Sequence, residues 1–336
     1  MRRRHLVAGL AAGLPVPTAW AQGGAAGGDA LPYPRRPVML VVATTAGSTN
    51  DVFARLLAAE VAPRLGQAMP VDNRPGAGGS VALAWVVRAR AEGHVLALVS
   101  TSTIPINRAY YRNLTYDPQH DLVPVSISGG TPNALVVPAG DDRPRDVAEL
   151  LARGRDPSLP PLRHVSPGNG TSHHLACVQL RRAAGTGFRS QHIPYRGPAE
   201  SLAGLLAGDG DWGFPALPSV LRLSREGRVR VLGVTGHAPA APMPEAPTLA
   251  SQGLVDFAEM DVWYGVAAPR AGMPPEALAM LRRVFREALA EPRLQARLAT
   301  AGFHPIAPME GAAMESFIAR QVALWEEIVH ASATFD

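Results

Sequence analysis

The chain of 336 residues contains no lysine. Schiff-base catalysis and the phosphate-gripping lysine of a P-loop both need a primary side-chain amine, so both are excluded. Cysteine occurs once, as Cys177, which rules out an internal disulfide. Its setting, Leu175-Ala176-Cys177, reads as a small hydrophobe in an apolar helical run. Neither H-E-x-x-H nor G-x-S-x-G occurs, which removes the local signatures of helical zinc hydrolases and of the α/β-hydrolase nucleophile. The apolar stretch 6–14 near the amino terminus is about half as long as the roughly 20 residues that a membrane span requires, and Pro15 and Pro17 follow it.

What is present at that terminus is a secretory signal: Arg2-Arg3-Arg4, the short apolar stretch, and a small-x-small ending at Ala19-Trp20-Ala21, with cleavage expected after Ala21. The twin arginines leave both general and twin-arginine export open. No cysteine stands near the cleavage site to carry a lipid. Residues 22–30, mostly glycine and alanine, read as an unstructured leader. Loss of the three signal arginines takes the formal charge from +4 to +1. The remaining arginines are interspersed with acids, so no basic face for nucleic acid is expected.

Strand-like and helix-like runs then alternate. Strands are expected at 38–43, 69–72 and 95–99, with helices at 52–65 and 81–91 between them. The same grammar returns with strands at 134–137, 164–166, 190–193, 212–214 and 229–234 and helices at 145–153, 172–184 and 199–207. A last strand at 263–267 precedes helices at 274–290, 292–301 and 310–332, the first two with proline in the opening turn. Two α/β layers with mainly parallel sheets are expected.

Four glycine- and hydroxyl-rich turns follow apolar runs: Ala46-Gly47-Ser48-Thr49-Asn50-Asp51, Ser100-Thr101-Ser102-Thr103, Gly168-Asn169-Gly170-Thr171-Ser172 and Phe214-Pro215-Ala216-Leu217-Pro218-Ser219. Such turns can aim backbone N–H groups and hydroxyls at a small anion. They can equally be plain helix caps, with Thr49, Asn50 or Asp51 capping the first helix. The third glycine of a dinucleotide fingerprint falls on His173. His173 and His174, being neighbours, point about 100° apart on a helix, unlike metal ligands one turn apart. No metal, cofactor or catalytic residue is expected. A hydrolytic α/β enzyme and a ligand sensor docking on a signalling partner stay open as alternatives.

Several ordered stretches give the chain a resemblance to the Bug family, the extracytoplasmic solute receptors of tripartite tricarboxylate transporters. They are Tyr33-Pro34-Arg35-Arg36-Pro37, the turn from Gly47 to Asp51 with Ala54-Arg55, Asp72-Asn73-Arg74-Pro75-Gly76-Ala77-Gly78-Gly79, Tyr116-Asp117-Pro118 with Asp121, and Gly168-Asn169-Gly170-Thr171-Ser172-His173-His174-Leu175. Pro194-Tyr195-Arg196-Gly197, Leu217-Pro218-Ser219, Pro247-Thr248 and Trp263-Tyr264-Gly265 continue it.

The resemblance implies a two-lobe, type II venus-flytrap protein of the periplasm, each lobe a mainly parallel sheet flanked by helices. The lobes would be 31–130 plus 254–336, and 131–253. It also implies a monomer that takes a small organic carboxylate between the lobes and delivers it to membrane transporter subunits. Thr45, Ala46, Gly47, Ser48 and Asp51 with Ser100, Thr101, Ser102 and Thr103 would hold the ligand from one lobe. Gly168, Asn169, Gly170, Thr171 and Ser172 would face them, with Phe214 and Pro215 at the distal end. Two departures stand out: the first turn reads Gly-Ser-Thr-Asn-Asp where the family has Gly-Gly-Ser-Thr-Asp, and Pro215 replaces an acid found in many members. Without that acceptor the pocket, bordered by Phe214 and Trp263, is expected to favour acids lacking an amino group.

Overall fold

The computed structural model describes residues 33–89 and 92–332. The expected signal and leader, and the end of the helix expected at 81–91, lie outside them. The strands in chain order are β1 (Met39–Val42), β2 (Val71–Asn73), β3 (Val95–Ser100), β4 (Leu122–Thr131), β5 (Ala134–Pro138), β6 (Leu162–Ser166), β7 (Ser190–Pro194), β8 (Trp212–Gly213), β9 (Val229–Val234) and β10 (Val262–Pro269). The helices are α1 (Thr49–Leu65), α2 (Ser80–Arg88), α3 (Asn107–Tyr110), α4 (Val147–Arg155), α5 (Ser172–Ala184), α6 (Pro198–Ala207), α7 (Leu217–Arg225), α8 (Pro275–Leu289), α9 (Pro292–Thr300) and α10 (Gly311–Ser332).

Two five-stranded sheets result, ordered β2-β1-β3-β10-β4 and β7-β6-β8-β5-β9. Strands β1 and β3 are apolar on both faces and almost wholly buried, as helix-covered strands must be. Helix α1 shows how one such cover is built. The Ser48 hydroxyl caps its start by accepting from the Asp51 amide (3.3 Å), one residue earlier than expected, and Gly66 ends it in the left-handed region at φ 67°. Between them Phe53, Leu57, Val61 and Leu65 recur every fourth residue and are buried. The Phe53 ring stacks on Tyr264 (4.9 Å) and meets Phe303 edge-on (5.0 Å). Truncating it to alanine should cost about 3–5 kcal/mol.

The two α/β layers are as expected, and each sheet is mainly parallel, four of its five strands running one way and one, β10 or β5, reversed. Strands β2, β1 and β3 run parallel, as do β7, β6 and β8; β10 is antiparallel to β3 and β4, and β5 to β8 and β9. The cause is the crossing of the chain between sheets. It leaves the first sheet on β4 and returns on β10, and it enters the second on β5 and leaves on β9, so each outgoing strand pairs with a returning one.

Strand membership divides the sheets between Thr131 and Ala134 and between Val234 and Val262. Phe257 and Met260 still pack into the second sheet's core. Helix α10 touches both layers, with Met314 in a first-sheet core and Trp325 and Val329 in the second. Among the described residues no helix is long and apolar enough to cross a membrane.

Candidate functional site

A cleft of about 310 Å³ opens between the two layers at the starts of α1, α2, α5 and α6. Its first wall is built on residues 44–51. The Asp51 carboxylate, 3% exposed, accepts from the Gly47 amide (2.8 Å), from Asn73 Nδ2 (3.0 Å) and from Arg55 through both oxygens (3.0 and 2.9 Å). Asn73 also donates to the Thr44 carbonyl (3.0 Å), tying the end of β2 to the turn. Burial works to raise the Asp51 carboxyl, but the hydrogen bonds from Arg55, Gly47 and Asn73 outweigh it and hold it below the usual carboxylate range. Asp51 is thus a bracket that shapes the turn, while Thr44, Thr45 and Asn50 line the cleft.

The floor combines the Ser100–Thr103 turn with the glycine-rich residues 76–79. Thr103 Oγ1 accepts from the Ser100 amide (2.8 Å), which aims this bend into the cleft. Gly79, at φ 94°, lies so close to it that an added Cβ would stand 2.7 Å from the Thr103 methyl and 2.9 Å from Ala43. Only glycine fits that approach.

The second wall is residues 167–171 with His173, Arg196, Gly197 and Pro198. Thr171 caps α5 by accepting from the His174 amide (3.2 Å) and donates to the Gly168 carbonyl (2.9 Å). Beneath the turn runs a network of serines and histidines. The Gly168 amide donates to Ser166 Oγ (3.2 Å), which pairs with His192 Nε2 (2.7 Å), and the Gly170 amide donates to His174 Nδ1 (3.3 Å). His192 packs between His164 and His174, and His164 Nδ1 pairs with Ser190 Oγ (2.8 Å). Burial, reinforced by His192 and Arg181, pushes His164 down to about 2, and burial pushes His173 down to about 4. Both rings are uncharged at neutral pH. Among the described residues no three His, Cys, Asp or Glu side chains group to hold a metal ion.

The walls touch where Ser102 Oγ accepts from the Ser172 amide (3.4 Å) and lies 3.5 Å from its hydroxyl. Beside that contact, Gly170 at φ 70° leaves room for the Tyr110 ring, which an added Cβ would approach to 2.7 Å.

Of the residues expected from sequence, Thr45, Ser100, Ser102, Thr103, Gly168, Asn169 and Thr171 line the cleft. Ala46, Gly47, Ser48 and Asp51 form the turn behind its first wall, with Ser48 Oγ bound to Thr44 Oγ1 (2.7 Å). Thr101 is buried and accepts from the Trp263 amide (2.9 Å), and Gly170 and Ser172 lie at the contact between walls. Phe214 is not brought to the cleft: it is 1% exposed and stacks on Phe257 (5.5 Å) in the core. Pro215 borders a recess of about 10 Å³ behind His173. Trp263 is also core, its Nε1 donating to Gln321 (3.0 Å). The preference argued from Pro215 therefore has no cleft contact to act through. Sequence reasoning missed Thr44, Asn50, the 76–79 loop, Tyr111, His173 and the Arg196-Gly197-Pro198 turn as lining residues. The last of these carries the same strand, small-residue turn and helix-start grammar as the turns that were selected.

A larger concavity of about 380 Å³ lies on the first layer beside α8. Its cations are engaged, Arg282 on the Pro124 carbonyl (2.9 Å) and Arg286 on Glu310 (2.9 Å). The interlobe cleft, by contrast, gathers four helix starts and the hydroxyl turns.

Two mixed α/β lobes with a polar cleft between them define a two-lobe binding protein of the periplasmic type. The model of the tripartite tricarboxylate transporter family receptor, TctC, matches residues 53–333, and the chain belongs to that family. It is 35% identical over 291 residues to a protein of the tcbD-tcbE intergenic region of a Pseudomonas species, covering 86% of this chain and 83% of that one. With BugT of Bordetella pertussis it shares 30% identity over 303 residues, 88% and 89% of the two chains. Among solved structures, Rpa4515 of R. palustris with adipate superposes with a TM-score of 0.82 at 29% identity, covering 90% of this chain and 99% of that one. MatC from Rhodopseudomonas palustris with bound malate gives 0.78 at 26%, covering 88% and 100%.

Proposed function

We propose that the protein captures a small organic carboxylate in the interlobe cleft, in the periplasm and as a monomer, after its amino-terminal signal is removed behind Ala21. It then hands the ligand to the membrane subunits of a tripartite tricarboxylate-type transporter. One observation carries this reading: the starts of α1, α2, α5 and α6 converge on one cleft with hydroxyl groups between them and no acidic side chain lining it. Helix starts present backbone donors and the positive ends of their dipoles, so an anion is stabilised there. The malate and adipate held by the two structural relatives are both carboxylates.

Capture rather than hydrolysis fits the same geometry. Ser48 and Thr171 are occupied as helix caps. Neither Ser100 nor Ser102 hydrogen-bonds to a histidine, and the serines that do, Ser166 and Ser190, lie outside the cleft lining. His173 shares the cleft lining with hydroxyl groups, but neither of its ring nitrogens hydrogen-bonds to one, so no nucleophile is paired with a base there. Calorimetric titration of the mature chain with malate, succinate and adipate is expected to show one site and no turnover. Absence of binding by every carboxylate tried, or consumption of any of them, contradicts the reading.

A further inference from the structure

The cleft lining contains one charged side chain, Arg196. It precedes Gly197, the N-cap of α6, its own amide donates to Glu200 Oε2 (3.4 Å), and the side chain is exposed. No carboxylate among the described residues pairs with its guanidinium. The wall it faces is neutral: Thr44, Thr45, Asn50 and the 76–79 loop. The donors at the starts of α1 and α5 suffice for one carboxylate, which leaves this cation and the α6 start for a second anionic group.

We propose that Arg196 is the specificity-determining residue of the cleft, pairing with a second carboxylate at the far end of the ligand and so selecting dicarboxylates over monocarboxylates of equal length. This rests on the carboxylate reading above. A guanidinium matches a carboxylate with two parallel N–H donors, and lobe closure that excludes water strengthens the pair. Its exposed position also means that no buried partner must be given up for it.

Affinities for adipate against hexanoate and for succinate against butyrate, measured by calorimetry on the mature wild type and on Arg196→Gln and Arg196→Lys, test this. The wild type should favour each diacid by about tenfold or more, as expected for a charge-assisted hydrogen bond. Arg196→Gln should lose that preference through weaker diacid binding alone, with Arg196→Lys retaining part of it, and the thermal midpoint of the empty protein should not move because the side chain is exposed. A wild type that binds both members of a pair alike, or an Arg196→Gln variant that weakens both equally or neither, overturns the assignment and leaves the carboxylate reading standing. A wild type that binds none of the four acids overturns both.

Discussion

On the first lobe the cleft turn is held by an ionised carboxylate, whereas on the second it rests on serines and histidines. The Asp51 carboxylate gathers Arg55, Asn73 and the Gly47 amide around itself. Under the facing turn, Ser166 pairs with His192 and Ser190 with the uncharged His164, the two rings stack, and the Gly168 amide rests on Ser166. Both devices leave the cleft-facing groups uncharged apart from Arg196. The difference teaches that a fixed array of N–H donors can be positioned by a buried ion or by a network of serines and histidines. The two should then fail under different conditions.

Removing the ionic bracket should have the largest effect. Asp51→Ala strands the Gly47 amide and Asn73 donors and releases the half-exposed Arg55, and leaving buried donors unsatisfied costs about 1–3 kcal/mol each. Denaturant unfolding should show that loss, with weaker ligand binding in the same variant. Asp51→Asn, which can still accept from the Gly47 amide, should lose less.

Acidity should separate the two devices. The folded Asp51 carboxyl is lowered, so its contribution is present above the unfolded carboxyl value and disappears only as pH falls through its lower folded value. His164 is the reverse in window: its folded value, about 2, lies far below the roughly 6.5 of an unfolded histidine. Between those values the unfolded chain binds a proton that the folded one refuses. Stability is therefore full above about 6.5 and falls with acid by up to about 1.4 kcal/mol per pH unit for this ring. Thermal unfolding at pH 7 and pH 5 should show the drop in the wild type and a smaller one in His164→Gln. An equal drop in the two proteins would detach His164 from acid sensitivity.

The smallest effect belongs to the contact between walls. Ser102→Ala removes one long hydrogen bond, 3.4 Å from the Ser172 amide, and should change stability by no more than about 1 kcal/mol. A larger loss in denaturant unfolding would mean that the walls depend on each other more than this geometry allows.

Much of the architecture is legible in the chain because the strand and helix runs have different periods. Helix α5 falls on the residues expected for it, Ser172–Ala184. Strand β4 escaped notice for an intelligible reason: Leu122–Thr131 contains Pro124 and the pair Gly129-Gly130, which read as breakers. It is an edge strand, where a missing N–H can be tolerated, and its register against β10 is irregular. The one reversed strand in each sheet, β10 and β5, also escaped, since strand direction follows from the path between lobes and not from any local pattern.

At the site, turn composition located the hydroxyl loops but could not tell a hydroxyl that lines the cleft from one that caps a helix. Ser48 and Thr45 look alike in sequence, and only the fold shows that Ser48 faces Asp51 and Thr44. Phe214 was misplaced because an aromatic beside a turn can face either the core or the ligand, and here Phe257 supplies the core partner.

Backbone hydrogen exchange of the mature protein, compared without ligand and with a saturating dicarboxylate such as adipate, tests the central claim most directly. Capture between two walls predicts slowed exchange in both turns, residues 44–52 and 168–174, at once. Slowing in one turn alone, or only at the concavity beside α8, would contradict it.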